Sequence, residues 1–185
     1  MSEKKSISTH VKSTSGVDVS HCYQCGKCTA GCVQAERMDY PPQYIMRLLQ
    51  TGSEENYEKV LRSRSIWVCL NCENCYERCP QSIDIPHVMD MLREESLKRG
   101  IAHKDASKII AFHRSFLSQI KNTGRLWEVG MEAEYKLRTM DLMQDVKLVP
   151  SMLSKGKLSI LPEVIEDKAA VKKIFDRTVG VEKEK

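Results

Sequence analysis

At 185 residues, with 41% hydrophobic side chains, the chain has material for one domain or one and a half, around a modest core. The formal net charge of +4 counts every cysteine as neutral and makes no case for a nucleic-acid partner. No apolar run approaches a membrane span, and the opening MSEKKSISTHVKSTSG has no secretory apolar core, so a soluble protein of a reducing cytoplasm is expected.

Residues 1–17 are rich in Ser, Lys and Thr and read as a mobile tail. A first cysteine loop follows, then Asp39-Tyr40-Pro41-Pro42 and a helix over Gln43 to Gln50 with Tyr44, Ile45, Leu48 and Leu49 on one side. Proline opens that helix and Gly52 closes it. Ser53 is placed to cap a second helix, with Tyr57, Val60 and Leu61 inward. A second cysteine loop comes next. Asp84-Ile85-Pro86 echoes Asp39-Tyr40-Pro41, and a helix from about Pro86 to Arg99 buries Val88, Met91 and Leu92 before Gly100. The cysteine-free remainder predicts an amphipathic helix over Asp105 to Lys121 with a stripe of Ile109, Phe112, Phe116 and Ile120. Further helices are predicted over Trp127 to Arg138 and over Leu142 to Val149, the latter interrupted at Pro150. Residues 154–157 are expected to form a turn, and the charged stretch 166–185 is expected to fray at its end. Alternating strand patterns are nearly absent. The expected organisation is a tail (1–17), a two-loop helical domain (18–100) and a helical extension (101–185) that docks a partner.

All eight cysteines fall into two copies of one spacing. The first is Cys22-x2-Cys25-x2-Cys28-x3-Cys32. The second is Cys69-x2-Cys72-x2-Cys75-x3-Cys79, followed by Pro80, and each of its cysteines lies 47 positions after its counterpart. This is the ligand run of a protein with two [4Fe–4S] clusters. Disulfides would need an oxidising compartment. Zinc sites of four cysteines usually show two separated C-x2-C pairs instead of three cysteines in one loop. An oxidised cubane brings roughly +2 against four thiolates, so two of them offset the sequence charge.

In bacterial two-cluster ferredoxins the fourth cysteine of each run ligates the other cluster. That rule predicts Cys22, Cys25, Cys28 and Cys79 around one cluster, and Cys69, Cys72, Cys75 and Cys32 around the second. Local ligation, four in a row, is the alternative. Crossing staples the two halves together. Pro80 has Val33 at its counterpart, so the two loops leave their clusters differently. Gly26 and Gly31 are expected where backbone approaches sulfide. Trp67 is expected as a packing residue shielding a cluster, and Lys27, Arg78 and Lys98 as solvated charges. No phosphate loop, nucleotide fingerprint or catalytic triad spacing is found.

The words CYQCGKCTAGC and WVCLNCENCYERCP, the Ile85-Pro86 that follows and the short helical remainder resemble the iron–sulfur C subunit of CoB–CoM heterodisulfide reductase, over most of the chain. The cysteine motifs alone are shared with iron–sulfur subunits of other dehydrogenases; Val33, where many relatives have proline, is one departure. The resemblance implies a mostly α fold: an α-helical ferredoxin with two pseudo-symmetric cluster loops. It implies an electron-transfer role in methanogenesis, passing electrons from the flavin-containing A subunit to the catalytic B subunit. The latter has CCG motifs and reduces the CoM-S-S-CoB heterodisulfide. A hydrogenase or formate dehydrogenase could complete a larger assembly. This chain has no Cys-Cys-Gly and no flavin motif, so it would be enzymic only as part of a complex, with no catalytic residue of its own. Another dehydrogenase complex or a free-standing ferredoxin shuttle is the alternative. A cluster-bearing regulator of nucleic acid finds no recognition helix with a basic face.

Overall fold

The computed structural model describes residues 6–143, 149–156 and 161–178. Every regular element among them is helical, and none is a strand. The chain divides into two compact units, Met1–Ala106 and Ser107–Lys185. No helix among the described residues is long and apolar enough to cross a membrane.

The first unit begins with a correction. The composition of residues 1–17 predicts a mobile tail, yet Ile7–Ser15 forms helix α1. Ile7 and Val11, one turn apart, are buried against α7 (Ile85–Lys98) and α3 (Pro42–Gln50), with Val11 fully enclosed. Gly16 ends the helix with φ of 74°, its N–H donating to the Lys12 carbonyl at 2.9 Å. Two apolar residues at helical spacing outweigh the polar composition around them.

Helix α3 is followed by α4 (Glu54–Leu61), and together with α7 they enclose the core: Ile45, Leu49, Tyr57, Leu61, Val88 and Leu92 have no exposed surface. Tyr44, expected inward, is instead half exposed, its ring tilted against that of Tyr40. Ser53 stands at the start of α4 with extended backbone, but its side chain makes no capping bond. Asp84 does cap, accepting from the His87 N–H at 3.0 Å, with Pro86 in the first turn of α7. Its echo, Asp39, reaches across the chain to the start of α5 (Ser65–Val68) and accepts from the backbone N–H groups of Arg64 at 2.9 Å and Ser65 at 2.8 Å.

Two short helices complete the unit: α2 (Lys27–Ala30) in the first cysteine run and α6 (Asn74–Glu77) in the second. They pack on each other, α2 also against α3 and α6 against α7. The repeated sequence thus becomes a repeated loop, short helix and long helix.

In the second unit α8 (Ser107–Thr123) packs on α9 (Glu128–Thr139) and α11 (Lys168–Thr178). The expected stripe on α8 is not its buried face. Ser115, Gln119 and Thr123 are buried, whereas Ile109 and Phe112 are exposed. Small polar residues let α9 approach: Gln119 donates to Glu134 at 2.9 Å, and a Cβ at Gly130 would lie 2.8 Å from Gln119 Oε1 and 2.2 Å from the Trp127 ring. Pro150 sits in the first turn of α10 (Val149–Ser154), where it starts a helix in place of interrupting one. Most of the helix expected over Leu142 to Val149 lies outside the described residues.

Candidate metal centre

Both cysteine runs adopt the same backbone. Gln24 and Gly26 flank Cys25 with φ of 63° and 79°; Asn71 and Glu73 flank Cys72 with φ of 49° and 62°. Each pair is offset by the repeat of 47 positions. Left-handed residues of this kind are building units of the backbone concavities that receive anions and iron–sulfur clusters. Three of the four left-handed residues are not glycine, at a cost of about 1 kcal/mol each. A strain kept at equivalent places in both halves marks a shared ligand requirement.

Side chains brace the loops in parallel. Gln24 Nε2 lies 3.3 Å from Cys22 Sγ, and Cys69 Sγ lies 3.5 Å from Asn71 Oδ1. From α3, Gln50 Nε2 donates to the carbonyls of Val19 at 3.0 Å and Cys22 at 2.7 Å. From α7, Arg93 donates to the carbonyls of Ile66 and Cys69, both at 2.5 Å. Val19 and Ile66, like Cys22 and Cys69, are repeat equivalents, so an amide in one half does what a guanidinium does in the other.

The thiols of the two runs are interleaved. One cavity is lined by Cys69, Cys72 and Cys75 of the second run and Cys32 of the first, with Pro42 and Met89 among its apolar walls. Elsewhere Tyr23 lies beside Cys25 and Cys79, one from each run; partial desolvation and the negative charge of those cysteines as thiolates push its phenol up. Burial pushes the Cys28 and Cys69 thiols up, with Arg93 opposing it at Cys69, and takes Cys75 to about 12, helped by Cys69. All eight cysteines are free of disulfides. Among the described residues no three His, Cys, Asp or Glu side chains converge as ligands of a single ion would. A cubane asks for something else, because each thiolate takes its own iron and the four ring the cluster.

Cys25 and Cys72 are the exposed members of their runs. Each stands two residues after an exposed apolar side chain: Tyr23 is 58% and Leu70 61% accessible. Trp67 is buried, as a packing residue would be. Gly26 needs its left-handed backbone, but Gly31 does not; a Cβ there would meet the Arg78 side chain at 2.5 Å, so its close approach is to Arg78. Sequence reasoning passes over Gln24, Asn71, Gln50 and Arg93. The first two can be found from their equivalent places in the repeat. Gln50 and Arg93 cannot, because they stand at different offsets.

Fold and site together define an all-helical, two-cluster iron–sulfur protein. Residues 18–83 match the 4Fe-4S dicluster domain. The iron–sulfur C subunit of CoB–CoM heterodisulfide reductase from Methanopyrus kandleri is 37% identical over 95 residues, 51% of this chain and 47% of its own length. The C subunit of the H(2):CoB-CoM heterodisulfide,ferredoxin reductase of Methanothermobacter thermautotrophicus is 30% identical over 57% of each chain. The C subunit of the Methanosarcina mazei ferredoxin:CoB-CoM heterodisulfide reductase is 26% identical over 88% of this chain and 89% of its own. The first two alignments span about half the relatives' length. The chain is a relative of the C subunits of CoB–CoM heterodisulfide reductases. It carries two [4Fe–4S] clusters and has an electron-transfer role.

Proposed function

We propose that this chain is the electron-transfer component of a cytoplasmic heterodisulfide reductase complex, standing between the flavin-containing A subunit and the catalytic B subunit with its CCG motifs. The observation that carries this reading is the interleaving of the two runs, with Cys32 facing the cavity of Cys69, Cys72 and Cys75. It supports one cluster held by those four thiolates and the other by Cys22, Cys25, Cys28 and Cys79. Crossed ligation would keep the two sites together. Each cluster, when bound, supplies one-electron redox chemistry.

The rest of the reading concerns what these residues do around the clusters. The loop N–H groups favour the negative charge of the sites, and Gln50 and Arg93 fix the loop entrances. Exposed Cys25 and Cys72 offer each cluster its own edge toward a partner. With all eight cysteines committed to clusters, none is left for thiol exchange with a disulfide, so the heterodisulfide would be cleaved on the CCG-bearing partner.

The test is reconstitution. The anaerobically purified chain should accept electrons from a strong reductant and leave heterodisulfide intact. Adding the CCG-bearing partner should start turnover, and Cys72→Ser or Cys25→Ser should slow it. Heterodisulfide reduction by this chain alone would move the active site here and overturn the assignment.

A further inference from the structure

The two halves repeat one another closely enough to expose a difference in charge. At the entrance of the first loop, Gln50 holds the carbonyls of Val19 and Cys22 with a neutral amide. At the equivalent carbonyls of Ile66 and Cys69, the second loop uses the permanently charged guanidinium of Arg93. We propose that Arg93 sets the cluster at Cys69, Cys72, Cys75 and Cys32 at a higher reduction potential than the cluster at Cys22, Cys25, Cys28 and Cys79, so that electrons pass from the first to the second. The proposal rests on the crossed two-cluster reading given above.

Adding an electron to a cluster adds negative charge, which a fixed cation nearby favours. How strongly depends on burial. The Arg93 side chain is only 21% exposed, in a setting where water screens it weakly. Its partner Asp90, 2.9 Å away, is 52% exposed and also takes the Asn71 amide, so it compensates only in part. Lys27, Arg47 and Arg78 on one side and Glu73 and Glu77 on the other are exposed and heavily screened, and Asp18, which is 22% exposed before the first loop, is neutralised by Lys12 at 2.8 Å. Arg93 is therefore the charge that distinguishes the two sites. The exposed edge at Cys25, beside Tyr23, becomes the entry for electrons, and the edge at Cys72, beside Leu70, the exit.

Arg93 is a positioning residue that touches the loop backbone, so the test reads potentials. The full chain carrying both clusters is titrated against redox mediators with electron paramagnetic resonance detection. The two signals are assigned by the one that Cys72→Ser perturbs. Iron and sulfide are measured first; about eight of each per chain checks the cluster reading separately from this proposal. Arg93→Gln, which places the first half's amide in the second, is expected to weaken reduction of the second cluster at least tenfold, a downward shift of about 59 mV for one electron. The first cluster should be unmoved, and Arg93→Lys should recover most of the loss. Asp90→Asn removes the compensating carboxylate, leaves the Arg93 bonds to the loop carbonyls in place and keeps one oxygen to accept from the Asn71 amide, and should shift the second cluster upward; it carries the test if Arg93→Gln loses iron. Unchanged potentials in both variants, an equal shift of both clusters, or a wild-type second cluster lower than the first would overturn the proposal.

Discussion

Asp39→Ala is expected to destabilise the cluster unit by removing a tie between its halves. One oxygen of Asp39 accepts from the Ser65 N–H at 2.8 Å and from the Ser65 hydroxyl; the other accepts from the Arg64 N–H at 2.9 Å. Hydrogen bonds to a charged group contribute roughly 1.5–3 kcal/mol each. Arg64 is exposed and water can replace its bond, whereas Ser65 is fully buried and loses its acceptor. Asp39 itself is exposed enough for solvent to screen the remainder, leaving about 2 kcal/mol for the substitution. In a unit of this size that corresponds to a fall of roughly 10 °C in melting temperature. Anaerobic thermal unfolding, followed by circular dichroism and visible absorbance together, measures it. The pH dependence has a definite sign. Burial works to raise the Asp39 carboxyl, but its hydrogen-bond donors outweigh that and hold it below the ordinary carboxylate range. A depressed folded-state value stabilises above the unfolded value of about 3.9, and that stabilisation is lost as pH falls through the folded value. The gap between wild type and Asp39→Ala should therefore be constant from neutral pH to about pH 5 and narrow below it. A melting temperature within about 2 °C of wild type at neutral pH would refute the tie.

Further outcomes follow from the same geometry. Cys79→Ser and Cys28→Ser should perturb the same paramagnetic signal, whereas matching effects of Cys79→Ser and Cys75→Ser would establish local ligation. Glu73→Gly should stabilise by about 0.5–1 kcal/mol by relieving left-handed strain, and Gly26→Ala should destabilise by about 1 kcal/mol; equal thermal midpoints would contradict both. Val11→Ala, at a fully buried site on α1, should cost about 2 kcal/mol in thermal stability, where a mobile tail would show no change.

How far the sequence can be read depends on where each property is stored. The cysteine runs are legible because cluster ligation demands particular side chains at particular spacing. Helix α7 is legible because Pro86 and Gly100 punctuate an unambiguous apolar stripe. Helix α1 is not, since Ile7 and Val11 are two apolar residues among serines and threonines and count only once α7 is there to receive them. The face of α8 escapes for a related reason. Its buried side is chosen by the close approach of α9 at Gly130, which favours Ser115 and Gln119 over Phe112. The contrast between Gln50 and Arg93 is hidden because α3 and α7 lie at different chain distances from their loops, so the repeat does not align them.

The most direct test of the central claim is a reductive titration of the anaerobically purified chain, with heterodisulfide present and no partner protein. Two clusters acting only as carriers should take up about two electrons per chain, one for each cubane, and then stop, with the heterodisulfide unconsumed. Continued uptake of reductant matched by thiol release would show chemistry on this chain and contradict the account.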